Sequence, residues 1–389
     1  MPVTNSSLPK RKSCFCHGNH SPCRSSSYQK VASAPTSRAE AVHIRTSPGF
    51  LKTEAVVRNA VSMDCMVQEH LKLHWDGKSR VEVYHLAQLL VMTLSSRFFT
   101  GLQDKQERSA KLTRLTNVIT SGPHTTPLNV AGTAFYRAMK AANAMRKEVM
   151  LLIKEKKAAM SSGANEIKIN DIMSHLLFNP DPTGGFMPEN EVTDKVMGLM
   201  MGGFHSPSMA TSFLVKYLGE GPDICDKVQT EQLEIARSKE YGETLNWDDI
   251  KKMKYSWSVA LEVMRLVPPL QGTFREAMQF HKGRRCIGPQ APQTKTPRIS
   301  VHRKCLTRAD LRMEKLHRLT LNFPFGSGPR ICPGKEYARL QLLCFLHCLV
   351  TRYKFQVLNP CAKIAGGMNP EPEEGFRIRL QPYIWRGGN

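Results

Sequence analysis

Ten residues near the end of the chain, Phe325-Gly-Ser-Gly-Pro-Arg-Ile-Cys-Pro-Gly334, combine the residue types of a metal-binding loop. Their glycines let backbone approach a large flat ligand closely and permit positive φ. Cys332 stands just before the helix-patterned segment Lys335–Tyr353, and a helix N-terminus favours thiolate over thiol. Arg330, two residues upstream, is placed to meet an anionic group on the same ligand. This chemistry is that of a haem iron with Cys332 as axial thiolate, a ligand that favours O–O cleavage, and Arg330 on a propionate. The bland alternative is a glycine-rich turn with an ordinary free cysteine. A seven-point match, Phe325, Gly326, Gly328, Arg330, Cys332, Pro333 and Gly334, argues against it.

A second constellation, Glu262-Val-Met-Arg265, puts a carboxylate and a guanidinium on one helix face at i,i+3, where they pair. Such pairs are commonplace and usually solvated. This one precedes Pro268-Pro269 and lies 70 residues before Cys332, which makes it informative.

These residues need elements to hold them. From about Pro48 to Phe280 the pattern is helical. Phe135–Lys156 spaces Met139, Ala142, Met145, Val149 and Ile153 for one helix face. Asn246-Trp-Asp-Asp249 caps a helix expected to run on through Met253, Trp257, Leu261 and Met264. Glu191–Glu220, the most apolar long segment, predicts one helix crossing the domain centre. Residues 281–322 have no sustained period and read as poorly ordered. After Phe323 come the Cys loop, its helix, and alternating segments such as Phe376-Arg-Ile-Arg-Leu380.

The Cys loop, the Glu-x-x-Arg pair and the long glycine-containing helix resemble a cytochrome P450. The likeness extends through Phe135–Asn143, Lys216–Leu218, Asn246–Trp257, Val263–Glu276 and Phe325–Leu340, which are similar to plant microsomal members that oxidise triterpenes, near the β-amyrin oxidase group. It covers roughly residues 48–280 and 323–389. The resemblance implies a mainly α (α+β) fold, triangular, with small β-sheets and haem between the central helix and the Cys-loop helix. It also implies electrons from NADPH through a cytochrome P450 reductase, a small hydrophobic isoprenoid substrate and the endoplasmic reticulum membrane. By carry-over, Arg275 is a second propionate partner, and Glu262 with Arg265 locks the Cys-loop scaffold.

The sequence departs from that family in three places. Where the family's central helix carries Gly-x-Asp/Glu-Thr for proton delivery, this chain has Gly203-Phe204-His205-Ser206 and then Pro207. Ser206 keeps a hydroxyl, and His205 takes the acid's position as proton relay or as a drifted residue with no role. Pro207 should sharpen any kink. The resemblance starts well inside the family's chain, so the anchor, the proline-rich hinge and the first strands are expected to be absent. Residues 279–322 also lack the family's strands and its Pro/Phe/Arg stretch, whose Arg completes the Glu262–Arg265 triad. A surplus of Lys and Arg there suggests reading out of frame. Glu314–Thr320 can be encoded so that a shifted frame gives Lys-Ala-Pro-Pro-Pro-Tyr.

Composition bounds the remaining readings. At 389 residues and 41% hydrophobic the chain can bury a sizeable core. No apolar run suits a membrane span, so peripheral or cytoplasmic placement stays open beside the reticulum. Eleven irregularly spaced cysteines read as reduced thiols. The net charge of +22 invites a nucleic-acid reading. However, residues 1–48 (seven Lys/Arg, one acid) and 281–318 (eleven, two acids) hold +15 of it, so basicity belongs to two segments rather than to the fold. The first reads as a disordered tail or a transit peptide, and its Cys14, Cys16, His17, His20 and Cys23 are too cramped for a common zinc motif. The expected function is therefore a haem-thiolate monooxygenase acting on a triterpenoid, sterol or related isoprenoid. An impaired fragment of the same fold and a basic nucleic-acid-binding protein are the alternatives.

Overall fold

The computed structural model describes residues 53–102, 106–122, 125–161, 171–180, 184–240, 242–270, 272–276, 285–289, 324–326, 331–365 and 369–383. The tail 1–48, most of 281–322 and Arg330 lie outside the described residues. The elements run α1 (Thr53–Arg58), α2 (Ala60–His74), β1 (Arg80–Glu82), α3 (Val83–Thr100), α4 (Gln106–Ser121), α5 (Ala134–Ser161) and α6 (Ile172–Phe178). They continue with α7 (Glu189–Gly202), α8 (His205–Glu220), α9 (Pro222–Arg237), α10 (Trp247–Lys252), α11 (Lys254–Leu266), β2 (Gly272–Glu276) and β3 (Arg285–Pro289). The last are α12 (Lys335–Arg352), β4 (Tyr353–Val357), β5 (Ile364–Ala365), β6 (Glu371–Pro372) and β7 (Arg377–Pro382). The fold is mainly helical, with small antiparallel sheets.

Helix α12 is the hub. Leu340, Leu342, Leu343, Phe345, Leu346, Leu349 and Val350 are all at most 1% exposed, so it is buried nearly all round, as a helix without a polar face must be. Each such side chain contributes about 2 kcal/mol on leaving water. It packs on α2, α8, α9 and α11. Trp75, ending α2, meets Phe345 edge to face at 5.8 Å. Buried Asp64 is satisfied by the Gln68 amide (2.7 Å) and the Leu245 N–H (3.0 Å), with the Cys348 thiol at 3.5 Å. That carboxylate ties α2 to α12 and to the segment before α10.

The long helix expected over Glu191–Glu220 is two helices. Residue 207 is proline and has no N–H for Gly203 O, which accepts a long bond (3.5 Å) from the Ser95 hydroxyl. A Cβ on Gly203 would stand 3.1 Å from both Leu199 O and the Phe99 ring, so any larger residue there would have to push a neighbour back by a few tenths of an ångström. A second break falls at Met253, inside the helix expected beyond Asn246. The Asn246–Asp249 capping box forms as its sequence predicts, but α10 stops after six residues. Glu231 of α9 then accepts from the Tyr255 N–H (2.8 Å), the Ser256 N–H (2.9 Å) and the Ser256 hydroxyl (2.6 Å). A carboxylate supplied from another helix satisfies the donors of a fresh N-terminus and lets α11 start on a new axis.

β7 alternates buried Ile378 and Leu380 with exposed arginines and pairs with β1 and β4 in the order β1-β7-β4. β2 and β3 form a hairpin with Arg275 opposite Cys286. Arg285–Pro289 thus forms a strand inside the segment expected to be poorly ordered. Backbone pairing needs no side-chain period, so its composition hid it.

Candidate active site

The Cys loop is held by stacked rings. Cys332 N–H donates to Phe325 O (2.8 Å), closing the loop, and Gly326 takes φ +74°. The Phe325 ring stacks on Trp257 of α11 with centroids 6.0 Å apart. On α12, the Arg339 guanidinium lies over Trp257 (5.6 Å) and Trp247 (5.9 Å). Phe325 also joins a small apolar cluster of Ala210 from α8, Met264 and Leu261 from α11, and Leu342 from α12. The loop is therefore positioned by the helix that carries the Glu-x-x-Arg pair. Sequence reading missed Trp257 and Arg339 in this role. Their spacing from the loop carries no signal, and only packing brings them together.

In that pair, Glu262 is 2% exposed and Arg265 grips it twice, one bond being Nε to Oε2 at 2.7 Å. Burial makes the bidentate geometry obligatory, since either charge alone would be costly.

Cys332 is exposed as a residue and is not in a disulfide. Its thiol is pushed above the ordinary range by burial against the loop, and the Gly334 N–H bond to sulfur pulls the other way. The expected donor at the helix N-terminus, the Gly334 N–H, thus acts toward thiolate, and burial acts against it. Deprotonation has to be coupled to metal binding. The residues fit such a group: an exposed cysteine outside any disulfide, with the Gly334 N–H on its sulfur. Gly334 is half-buried, and a Cβ there would lie 3.8 Å from the Cys332 sulfur. Arg275 is described only as β2 backbone, so its side chain, like Arg330, lies outside the described residues.

Phe99 bridges the two halves of the site. It touches Gly203 at the helix break and packs against Tyr337, in the first turn of α12, with centroids 5.7 Å apart. At the break, His205 is buried. Its Nε2 shares a hydrogen with the Thr120 hydroxyl (2.9 Å), and Nδ1 is 3.6 Å from the Glu371 carboxylate without a hydrogen bond. Burial lowers the His205 pKa to about 4. Burial also raises that of Glu371. The Ser206 side chain is half-buried. Thr120 and Glu371 lie far from His205 in sequence and were invisible as its partners.

The cytochrome P450 family profile matches residues 49–282 and 319–369. The chain belongs to the cytochrome P450 family. It is 42% identical over 343 residues to a β-amyrin 28-monooxygenase of Medicago truncatula (86% of this chain, 71% of the relative). A Vitis vinifera β-amyrin 28-monooxygenase is 42% identical over 369 residues (92% and 76%). A β-amyrin 6-beta-monooxygenase of Solanum lycopersicum is 38% identical over 340 residues (86% and 70%). Among solved structures, retinoic acid-bound cyanobacterial CYP120A1 superposes with TM-score 0.71 at 22% identity, covering 89% of this chain and 78% of that one. That likeness bears on the fold.

This P450 is a monooxygenase, an oxidoreductase whose cofactor is haem iron on a cysteine thiolate and whose electrons come from NADPH through a reductase. Its substrate is hydrophobic. These matches favour an oxygenase over a nucleic-acid-binding protein. Residues 283–318 fall between the two matched stretches. No described helix is long and apolar enough to cross a membrane.

Proposed function

We propose that this P450 oxidises a C–H bond of a triterpenoid of the β-amyrin type, working with a microsomal reductase at the endoplasmic reticulum. The observation that carries the reading is the run of plant β-amyrin oxygenases at 37–42% identity along most of the chain. The 28- and 6-beta-oxygenases fall at 42% and 38%, so the reading names the ring system and not the carbon.

When bound, the haem supplies activation of dioxygen. The protein's part is to hold, screen and feed that chemistry. Cys332 would hold the iron through Sγ as thiolate, with the Gly334 N–H on the sulfur. Arg330 and Arg275 take the propionates, as family carry-over assigns. Glu262 and Arg265, with Trp257 and Arg339, keep the loop from drifting, and Phe325 closes it. Ser206 Oγ holds the proton to be delivered. His205, neutral at physiological pH, can accept or pass a proton through its hydrogen bond to Thr120 or across 3.6 Å to the Glu371 carboxylate, a longer route than a carboxylate beside Ser206 would give.

The test is turnover of β-amyrin by the purified haem-loaded protein with a plant reductase and NADPH, read by mass spectrometry. A product heavier by one oxygen is expected. A protein that keeps its thiolate spectrum but leaves β-amyrin unchanged, while oxidising another hydrophobic substrate, would overturn the substrate assignment.

A further inference from the structure

Helix α2 carries a feature that the oxygenase chemistry does not use. Met66, His70 and His74 recur every four residues and so form one stripe. The two imidazole rings lie 4.7 Å apart, tilted by 47°. His70 is 6% exposed and its Nε2 has no hydrogen-bond partner among the described residues. A buried, unpaired imidazole nitrogen calls for an explanation. Here it lines a cleft of about 20 Å³ between α2 and α3, bounded by Met66, Glu69, His74, Leu89 and Thr93. That is room for one small ion or one water.

We infer that His70 and His74 form a copper(I) site, with the Met66 thioether as third donor. Donor chemistry selects the metal. Among the described residues no three of His, Cys, Asp and Glu converge, which leaves zinc short of its usual four ligands. Copper(I) is satisfied by two or three soft donors, and a thioether beside imidazoles favours it over harder ions. Burial, with the positive fields of His74 and Lys78, keeps the His70 ring unprotonated down to about pH 3. Glu69 on the rim supplies a compensating negative charge. The site lies on the face of α2 toward α3 and involves no residue of the oxygenase site.

The test uses holoprotein with accessible thiols alkylated, titrated anaerobically with copper(I) against bicinchoninate. The wild type should take up one equivalent more than His70→Gln or His74→Gln. Met66→Leu should keep that equivalent but hold it about tenfold more weakly. X-ray absorption on the wild type should show a nitrogen shell that His74→Gln diminishes. Should His70→Gln not fold, half-buried His74 decides the matter. Equal uptake by wild type and a folded His74→Gln would overturn the inference and leave the cleft to a single water.

Discussion

The two sides of the haem site have been treated differently by this sequence. On the cysteine side each described group is held by another: the Cys332 backbone by Phe325, Phe325 by Trp257, Trp257 by Arg339, and Glu262 by Arg265. On the central-helix side, the proton-delivering acid of the family pattern has become His205, which turns to Thr120 and Glu371 across a broken helix. Holding the iron needs rigid packing, which survives substitution only if several partners change together. Delivering a proton needs one group at one position, which a single substitution can redirect. Under the proposed function, the first side serves metal binding and the second serves coupling.

The largest effect should come from the cysteine side. Cys332→Ser removes the thiolate, so the Soret band of the reduced carbon monoxide complex should lose its thiolate position entirely. A wild-type spectrum of histidine type would undo the whole comparison. Next is Glu262→Gln, which leaves Arg265 largely buried without its charge partner at a cost of about 3 kcal/mol. Haem retention and unfolding midpoint should both fall. Retention unchanged at a lowered midpoint would show that the pair serves the body and not the loop.

On the other side, His205 has its pKa lowered from 6.5 to about 4. The unfolded chain therefore binds the proton first, and stability falls as pH drops from about 6.5 toward 4, by up to roughly 3 kcal/mol for this residue. His205→Asn should flatten that acid limb in urea titrations at successive pH values. A limb of unchanged slope would point to His70 and His347, which burial lowers likewise. The smallest effect is on coupling. His205→Asp should raise product formed per NADPH by severalfold at most, with less lost to peroxide. A ratio unchanged or lower would mean that Ser206 is supplied with protons by another route.

How far the sequence foretold this depends on where each residue's partners lie. The expected helix Phe135–Lys156 is observed as Ala134–Ser161, because the 3.6 period is written in the segment itself. The cap at Asn246 and the alternation of β7 are equally local. The Glu262–Arg265 contact was legible for the same reason. The break near Gly203 was partly legible, since Pro207 marks a kink in the segment expected to be one helix, and the break at Met253 was not, since it needs Glu231 from a neighbouring helix. Trp257 has the spacing of an ordinary core residue, and only packing places the loop on it. Cys332 was identified by type and spacing, but its raised thiol pKa depends on its surroundings, which spacing cannot report.

The central place of α12 has a consequence for synthesis. Asp64 meets Cys348 and Trp75 meets Phe345, contacts separated by 284 and 270 positions of chain. Loops of that size must close before those contacts offer any return, so folding is slow and late. Until α12 clears the ribosome, the apolar faces of α2, α8, α9 and α11 have nothing to pack against, and such exposed surfaces attract chaperones and aggregate. Haem capture must be later still, because its loop rests on Trp257 and Arg339, which meet only once α11 and α12 have docked.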